Sequence, residues 1–340
     1  MRSKILSKIM IYEVEQPTFF DLFGLGRPHT EDKLLDGITL LGSGKGALAL
    51  VLRHLQKRGI IRSKLDEILV PDWLGYWVYN QIQSYAFPAK RLSDRTRAIL
   101  VYHQYGFPQD MDKIMAAARE KNLIVIEDCA HAVFSHHRGK RLGFLADYSI
   151  FSFSKWVFCF ALGGARGDEE FQRFAAQAAE RTAFGLTMFK DSVKWLGEKS
   201  RRSTYANYLT KMAYALYGDA LKPSALAVRL LKAKLDTEIA IRQKRYLKFR
   251  AVTADLGLCD HLENEGITPY VIPTRVKSER QGSLIAALAK AGIESGIYQF
   301  DMNRNLLDPK FENCVLIPCH GEINDDFFSD MTKLIIKIQS

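Results

Sequence analysis

Cysteine is scarce in this 340-residue sequence, and the few present form no pattern. Cys129, Cys159, Cys259, Cys314 and Cys319 are an odd number at scattered spacings, with no Cys-x-x-Cys pair. That excludes a zinc site of the paired-cysteine type and argues against a disulfide framework; no metal site is expected, and reduced thiols in the cytoplasm are. Long hydrophobic runs are missing as well. No stretch approaches the ~18 uncharged apolar residues of a membrane-spanning helix. The longest, Phe158 to Ala165, is short and contains two glycines. Near the amino terminus a basic and apolar start runs into Glu13 and Glu15, so no signal peptide is expected. Internal repeats and low-complexity linkers are absent too. What the sequence has in excess is positive charge: 48 Lys plus Arg against 38 Asp plus Glu, a formal net charge of +10. At 47% hydrophobic and 25% charged it otherwise has the make-up of a soluble globular chain of one or two domains. The charge suits nucleic acid, an acidic membrane surface or an anionic small molecule.

Periodicity gives the organisation. Gly46 to Lys57 places apolar residues at helical spacing, Glu67 to Val70 reads as a short strand, Val78 to Ala86 as a helix and Ala98 to Tyr102 as a strand. Met111 to Lys121 predicts a helix, and Leu123 to Ile126 and Tyr148 to Phe153 predict buried strands. Strands and helices alternating at this pace predict an α/β layer around a mostly parallel sheet. Residues 169–250 read as helices, and from Gly266 a smaller α+β unit is expected. It comprises a strand at Tyr270–Pro273, a helix at Ser283–Ala291, a strand at Val315–Ile317 and a terminal helix at Asp325–Ile336. The expected division is a large domain over 1–245 and a small one over 246–340.

Two short motifs carry chemistry. Gly42-Ser43-Gly44-Lys45-Gly46 precedes a helix but is no nucleotide P-loop, because Thr39 stands where the first glycine belongs and Gly46 where Ser or Thr would hold magnesium. Small residues at a helix start still let backbone N–H groups approach an anion, although a plain loop-to-helix turn would look the same. Asp128 and His131 sit just past a buried strand, and Lys155 just past another, in Phe151-Ser152-Phe153-Ser154-Lys155. Ligands of α/β sheets lie at such strand ends. An acid and a lysine there, with an anion cradle, suit pyridoxal phosphate: the lysine amine forms a Schiff base with the aldehyde, and the acid pairs with the pyridinium nitrogen.

Several ordered segments together resemble the DegT/StrS-type sugar aminotransferases, fold-type I pyridoxal-phosphate enzymes, in a shorter and divergent branch. These are Ser43 to Leu48, Leu69-Val70-Pro71-Asp72-Trp73, Tyr102 to Asp112 (Tyr-His-Gln-Tyr-Gly-Phe-Pro-Gln-Asp-Met-Asp) and Ile126 to Ala132. Gly139 to Gly143 with Asp147, Phe151 to Lys155, Gly163-Gly164 and Ile317-Pro318-Cys319-His320 complete the series. The resemblance implies an aspartate-aminotransferase-like large domain with a small C-terminal domain. It implies pyridoxal 5'-phosphate as cofactor, an amino-acid donor such as glutamate, an anionic keto-sugar acceptor and a homodimer. By the same resemblance Lys155 and Asp128 are catalytic and His131 lies by the cofactor ring. Ser152 with Ser43, Gly44 and Lys45 holds the phosphate, and Trp73 or Tyr76 stacks on the ring. A keto-sugar dehydratase or a catalytically silent regulator of the same fold is one alternative, and a basic binding protein for nucleic acid or a membrane surface is another.

The sequence departs from the family at Lys155, two residues past Phe-Ser-Phe rather than four. It departs at Lys45, where threonine is usual, and in the short stretch between Phe87 and Ala98. The family's phosphate-contacting Gly-Tyr-Asn-x-Arg segment has no match between 190 and 245. Residues 190–234 instead hold ten Lys or Arg (Lys190, Lys194, Lys199, Arg201, Arg202, Lys211, Lys222, Arg229, Lys232 and Lys234) against Asp191, Glu198 and Asp219. A solvated basic face, contact with an anionic substrate and peripheral membrane contact are the readings of that segment. No helix-turn-helix, zinc-finger or RNP-type motif supports nucleic-acid binding.

Overall fold

The computed structural model describes residues 9–11, 14, 34–199, 204–263 and 265–339. Arg201 and Arg202 of the basic segment lie outside them. A seven-stranded sheet forms the centre, built from β2 (Thr39–Leu41), β3 (Glu67–Leu69), β4 (Phe87–Ala89), β5 (Thr96–Tyr102), β6 (Ile124–Asp128), β9 (Tyr148–Ser152) and β10 (Gly163–Arg166). In space the order is β2-β10-β9-β6-β5-β3-β4. Only β10 runs against its neighbours. The short pair β7 (His136–His137) and β8 (Lys140–Arg141) sits in the connection between β6 and β9. The expected mostly parallel α/β sheet is therefore present.

Helix α1 (Gly44–Lys57) is buried along most of its length, from Gly46 through Leu52 and again at His54 and Leu55. An apolar helix of this kind packs on a sheet face, and Ala47, Leu48, Val51 and Leu55 share a core with Ile126, Ile150 and Ala165. The hydroxyl of Ser43 caps it by accepting from the Gly46 amide at 2.9 Å. Helix α2 (Tyr76–Gln83) follows β3, and α3 (Met111–Glu120) covers the opposite sheet face. Asp110, from the Pro-Gln-Asp-Met-Asp motif, caps α3 at the Lys113 amide, 3.3 Å away.

Helices α4 (Glu169–Glu180), α5 (Phe184–Lys199), α6 (Thr204–Leu216) and α7 (Ala225–Val252) follow, so the described residues between 169 and 250 are mostly helical. Beyond them β11 (Ile272–Thr274), β14 (Phe311–Ile317) and β13 (Ile297–Asp301) form a three-stranded antiparallel sheet in that order. It is accompanied by α8 (Ser278–Lys290) and α9 (Asp325–Gln339). Two features bear on the expected division at 245. Helix α7 runs unbroken through it, and β1 (Ile9–Met10) pairs with β12 (Ile293–Glu294), which ties the amino-terminal residues to the C-terminal unit. Arg245 stitches α7 to the start of α9 through the carbonyls of His320 and Ile323 and the carboxylate of Asp325.

Candidate active site

The parallel pairing of β5, β6 and β9 brings three strand ends side by side: Tyr102 is in register with Asp128, and Asp128 with Ile150. Past β9 a single 3-10 turn, Phe153–Lys155, carries the lysine back over the end of the sheet. Trp156 then ties this turn to the loop after β6, its indole N–H donating to the Ala130 carbonyl at 3.1 Å. On the other side, β10 returns with Gly163 opposite Ser152 and against the start of α1. A Cβ on Gly163 would stand 2.2 Å from the Gly44 amide nitrogen, and one on Gly44 2.8 Å from the Ser152 Cβ. Only glycines let the helix start, β9 and β10 approach so closely.

The result is a cavity of about 320 Å³ lined by Ser43, Gly44, Lys45, Asp128, His131, Ser152 and Lys155. Seven of the nine residues singled out from the sequence thus meet in one place. Trp73 and Tyr76 do not line it. Trp73 is 57% exposed and packs edge-on to Phe311, and Tyr76 is 69% exposed. The aromatic of this segment that does reach the cavity is Trp77, stacked on Tyr214 with ring centroids 4.5 Å apart. At the start of a helix only one azimuth faces inward, and packing against α6 selects Trp77. Tyr102, Tyr214, Tyr217 and Lys194 also line the cavity and were missed. Tyr102 had a signal, as the last residue of a strand beside that of Asp128, and Lys194 had one in the basic segment read as a candidate contact for an anionic substrate.

The Lys155 amine is 2.8 Å from His131 Nε2, and His131 Nδ1 is 2.6 Å from the Tyr102 hydroxyl. The Lys155 side chain is exposed into the cavity, with the surrounding fold packed about its amine. Burial lowers the lysine pKa, with the Asp128 carboxylate pulling the other way. Burial also pushes the His131 pKa well down, aided by Lys155 and Arg242, so the imidazole is neutral. A lysine ammonium only donates, so His131 accepts at Nε2 and donates its Nδ1–H to the Tyr102 oxygen. The imidazole is held flat against Tyr270, 4.1 Å between centroids. Asp128 is 3% exposed, and burial raises its pKa, opposed by the Ala130 amide, Lys155 and His103. One of its oxygens accepts from the Ala130 amide at 3.0 Å.

Behind this layer, Glu127 is fully buried and accepts from His103 Nε2 and from the amides of Gly143, Leu145 and Ala146. His103 in turn accepts from the Gln109 amide, which fixes its tautomer. The motifs around Tyr102–Asp112, Ile126–Ala132 and Gly139–Asp147 are thereby one buried hydrogen-bond network that holds up the end of β6.

Pyridoxal phosphate fits this cavity on the evidence of its polar groups. The Gly44 and Lys45 amides open α1 without an acceptor from the described residues. The Ser152 hydroxyl has no partner among them, and the second oxygen of Asp128 has none either. A lysine amine, a buried carboxylate and an anion cradle at the strand ends of this sheet define a pyridoxal-phosphate protein of the aspartate-aminotransferase-like fold. More narrowly, the chain belongs to the DegT/DnrJ/EryC1/StrS aminotransferase family, whose model matches residues 88–306.

Among curated relatives, GDP-perosamine synthase of Escherichia coli O157:H7 is 45% identical over 64 residues, 19% of this chain and 18% of that protein. The dTDP-3-amino-3,4,6-trideoxy-alpha-D-glucose transaminase of Streptomyces venezuelae is 41% identical over 153 residues, 38% of this chain and 39% of that protein. The chain thus matches less than half the length of these relatives. Similarity to solved structures covers far more. The aminotransferase TlmJ from Streptoalloteichus hindustanus superposes with a TM-score of 0.69 at 15% identity, over 98% of this chain and 99% of that one. Helicobacter pylori PseC, an aminotransferase involved in the biosynthesis of pseudoaminic acid, gives 0.67 at 14%, over 98% and 99%. At such identities the likeness shows the fold.

Proposed function

We propose that the protein is a pyridoxal-phosphate-dependent aminotransferase. It moves an amino group from an amino acid, with glutamate as the candidate donor, to a nucleotide-linked keto-sugar in the making of amino sugars or surface glycans. The observation that carries this reading is the Lys155 amine, 2.8 Å from a neutral His131 and opposite a buried Asp128, at the foot of an anion cradle. When bound, the cofactor supplies an aldehyde for amines and a ring that accepts electron density. Lys155 Nζ is the atom placed to form the covalent link and to take up and return a proton at the reacting carbon; burial favours its neutral, nucleophilic form. Asp128 would hold a positive charge on the bound cofactor, because a carboxylate kept from water is stabilised by a partner cation. His131 and Tyr102 orient the lysine. The Gly44 and Lys45 amides and the Ser152 hydroxyl would hold the cofactor's phosphate.

The printed names of several relatives, GDP-perosamine synthase and transaminases of dTDP- and UDP-linked sugars among them, favour a sugar acceptor. A homodimer is part of the proposal, supported by the exposed aromatics Trp73, Tyr76 and Phe184. So is a cytoplasmic site, supported by five free, buried cysteines. No helix among the described residues is long and apolar enough to cross a membrane. Contact of the 190–234 segment with a membrane would need its cations on one face, whereas Lys190 is buried and Lys194 lines the cavity.

The test is a half-reaction. Cofactor-loaded protein mixed with glutamate should lose the visible absorbance of the lysine-linked cofactor and release the keto acid, and a nucleotide-linked keto-sugar should restore the absorbance. Loss of water from the sugar without amine transfer would mark a dehydratase, and no response to any amino acid a silent protein; either outcome overturns the proposal.

A further inference from the structure

Helices α5 and α6 are fastened to the start of α1 by contacts from both of them. Lys190 is buried on α5 and donates to the Gly42 carbonyl at 2.6 Å, with Asp191 beside it at 3.0 Å. Val193, next along α5, packs with Ala161, Ala213 and Tyr217. At the end of α6 the Tyr217 carbonyl accepts from the Ser43 hydroxyl at 3.3 Å, and the Tyr214 carbonyl from the Lys45 ammonium at 3.4 Å. Arg53 of α1 reaches the Gly218 carbonyl at 3.1 Å. Gly197 allows the two helices to cross closely, since a Cβ there would lie 3.3 Å from Thr210. The position of α5 relative to the cradle is therefore fixed from several directions. One turn beyond Lys190 it brings Lys194 to the wall of the same cavity as Lys45, Gly44 and Ser152. Two ammonium groups, with two amides and a hydroxyl that have no partner among the described residues, make a setting for a doubly charged anion.

We propose that Lys194, together with Lys45, is a phosphate-binding residue of a cradle that one chain builds for itself. The inference rests on the reading of this cavity as the cofactor site, and the phosphate ester it names is that of the cofactor. The α1 amides and Ser152 single out that source over a nucleoside diphosphate, because Ser152 ends the strand that leads directly to Lys155 and the start of α1 lies against it.

The test compares dissociation constants of the full chain and of Lys194→Met for pyridoxal phosphate, for pyridoxal, which lacks the phosphate, and for UDP. The expected result is a loss of about tenfold or more for pyridoxal phosphate, the scale of one charge-assisted hydrogen bond. Pyridoxal should bind both proteins equally, and Lys194→Arg should restore most of the loss. Equal affinity of both proteins for pyridoxal phosphate overturns the inference, as does a loss confined to UDP, which would assign Lys194 to the sugar nucleotide. Wild-type protein that binds neither pyridoxal phosphate nor pyridoxal overturns the proposed function instead. Should Lys194→Met lose its fold, Lys194→Gln, which keeps the side chain polar and of similar length, gives the same comparison.

Discussion

Replacing Glu127 by glutamine changes one oxygen into an amine and nothing in shape. In the native protein, one carboxylate oxygen accepts from the Leu145 and Ala146 amides, each at 2.9 Å, and the other from the Gly143 amide at 2.8 Å and His103 Nε2 at 3.2 Å. A glutamine can satisfy the first pair through its carbonyl. Its amine must then face the second pair, donor against donor. His103 cannot escape by moving its proton, because its Nδ1 already accepts from the Gln109 amide at 3.1 Å. Two buried donors are orphaned at about 1–3 kcal/mol each, so Glu127→Gln should destabilise the protein by roughly 2–6 kcal/mol. That is a large part of the ~5–15 kcal/mol that separates most folded chains from unfolded ones. Urea denaturation followed by tryptophan fluorescence reads the loss, and amide hydrogen exchange should show protection lost first at Gly143, Leu145 and Ala146. Glu127 does not line the cavity, so the folded variant should bind pyridoxal phosphate as the wild type does. A variant within about 0.5 kcal/mol of the wild type, with exchange unchanged in the 143–146 loop, would refute the reasoning.

His54 is wholly buried among Tyr148, Phe171 and Phe174, and neither ring nitrogen has a hydrogen-bond partner among the described residues. Burial holds its pKa below the ordinary value of 6.5, so the unfolded chain binds the extra proton first and stability falls as the pH drops below 6.5. His54→Leu should therefore stabilise by about 1–2 kcal/mol at neutral pH, and by more under acid in parallel thermal melts. Gly163→Ala has no room for its methyl against Gly44 and should weaken folding and pyridoxal phosphate binding together. Gly282→Ala, in the middle of α8 with nothing within 4 Å, should stabilise by up to ~1 kcal/mol in the same assays. Trp77→Ala removes a stacked pair worth about 0.5–1.5 kcal/mol and should loosen α6, seen as faster hydrogen exchange there. The lowered pKa of Lys155 predicts that covalent capture of pyridoxal phosphate reaches its full rate at a pH below that of an ordinary lysine, measured as a rate–pH profile.

Lys155, Asp128 and Ser152 were legible in the sequence because strongly apolar parallel strands leave their last residues at one edge of the sheet, so adjacency follows from topology alone. Trp77 was not, because its direction depends on α6, more than a hundred residues away. β10 was hidden for a related reason. Gly163-Gly164-Ala165-Arg166 has no strand propensity, and its glycines are dictated by the close approach of α1. The basic segment misled in another way. Lysines read as solvated unless a partner is visible, and the partner of Lys190 is a carbonyl 148 residues earlier. Among the described residues, what read as one charged stretch is spread over α5, α6, α7 and the loop holding Lys222, with Lys190 buried and Lys194 at the cavity. Similarly, the buried pairing of His103 with Glu127 reveals why those motif residues are present, which spacing alone does not.

The central claim is that Lys155 is the residue that takes the cofactor covalently. Incubating the full chain with pyridoxal phosphate, reducing with borohydride and sequencing the peptides by mass spectrometry tests it most directly. The pyridoxyl phosphate group should be found on Lys155, and Asp128→Asn should keep that site while changing the absorbance of the bound cofactor. A label on Lys45, Lys194 or any other lysine in place of Lys155, or no label at all, would contradict the account.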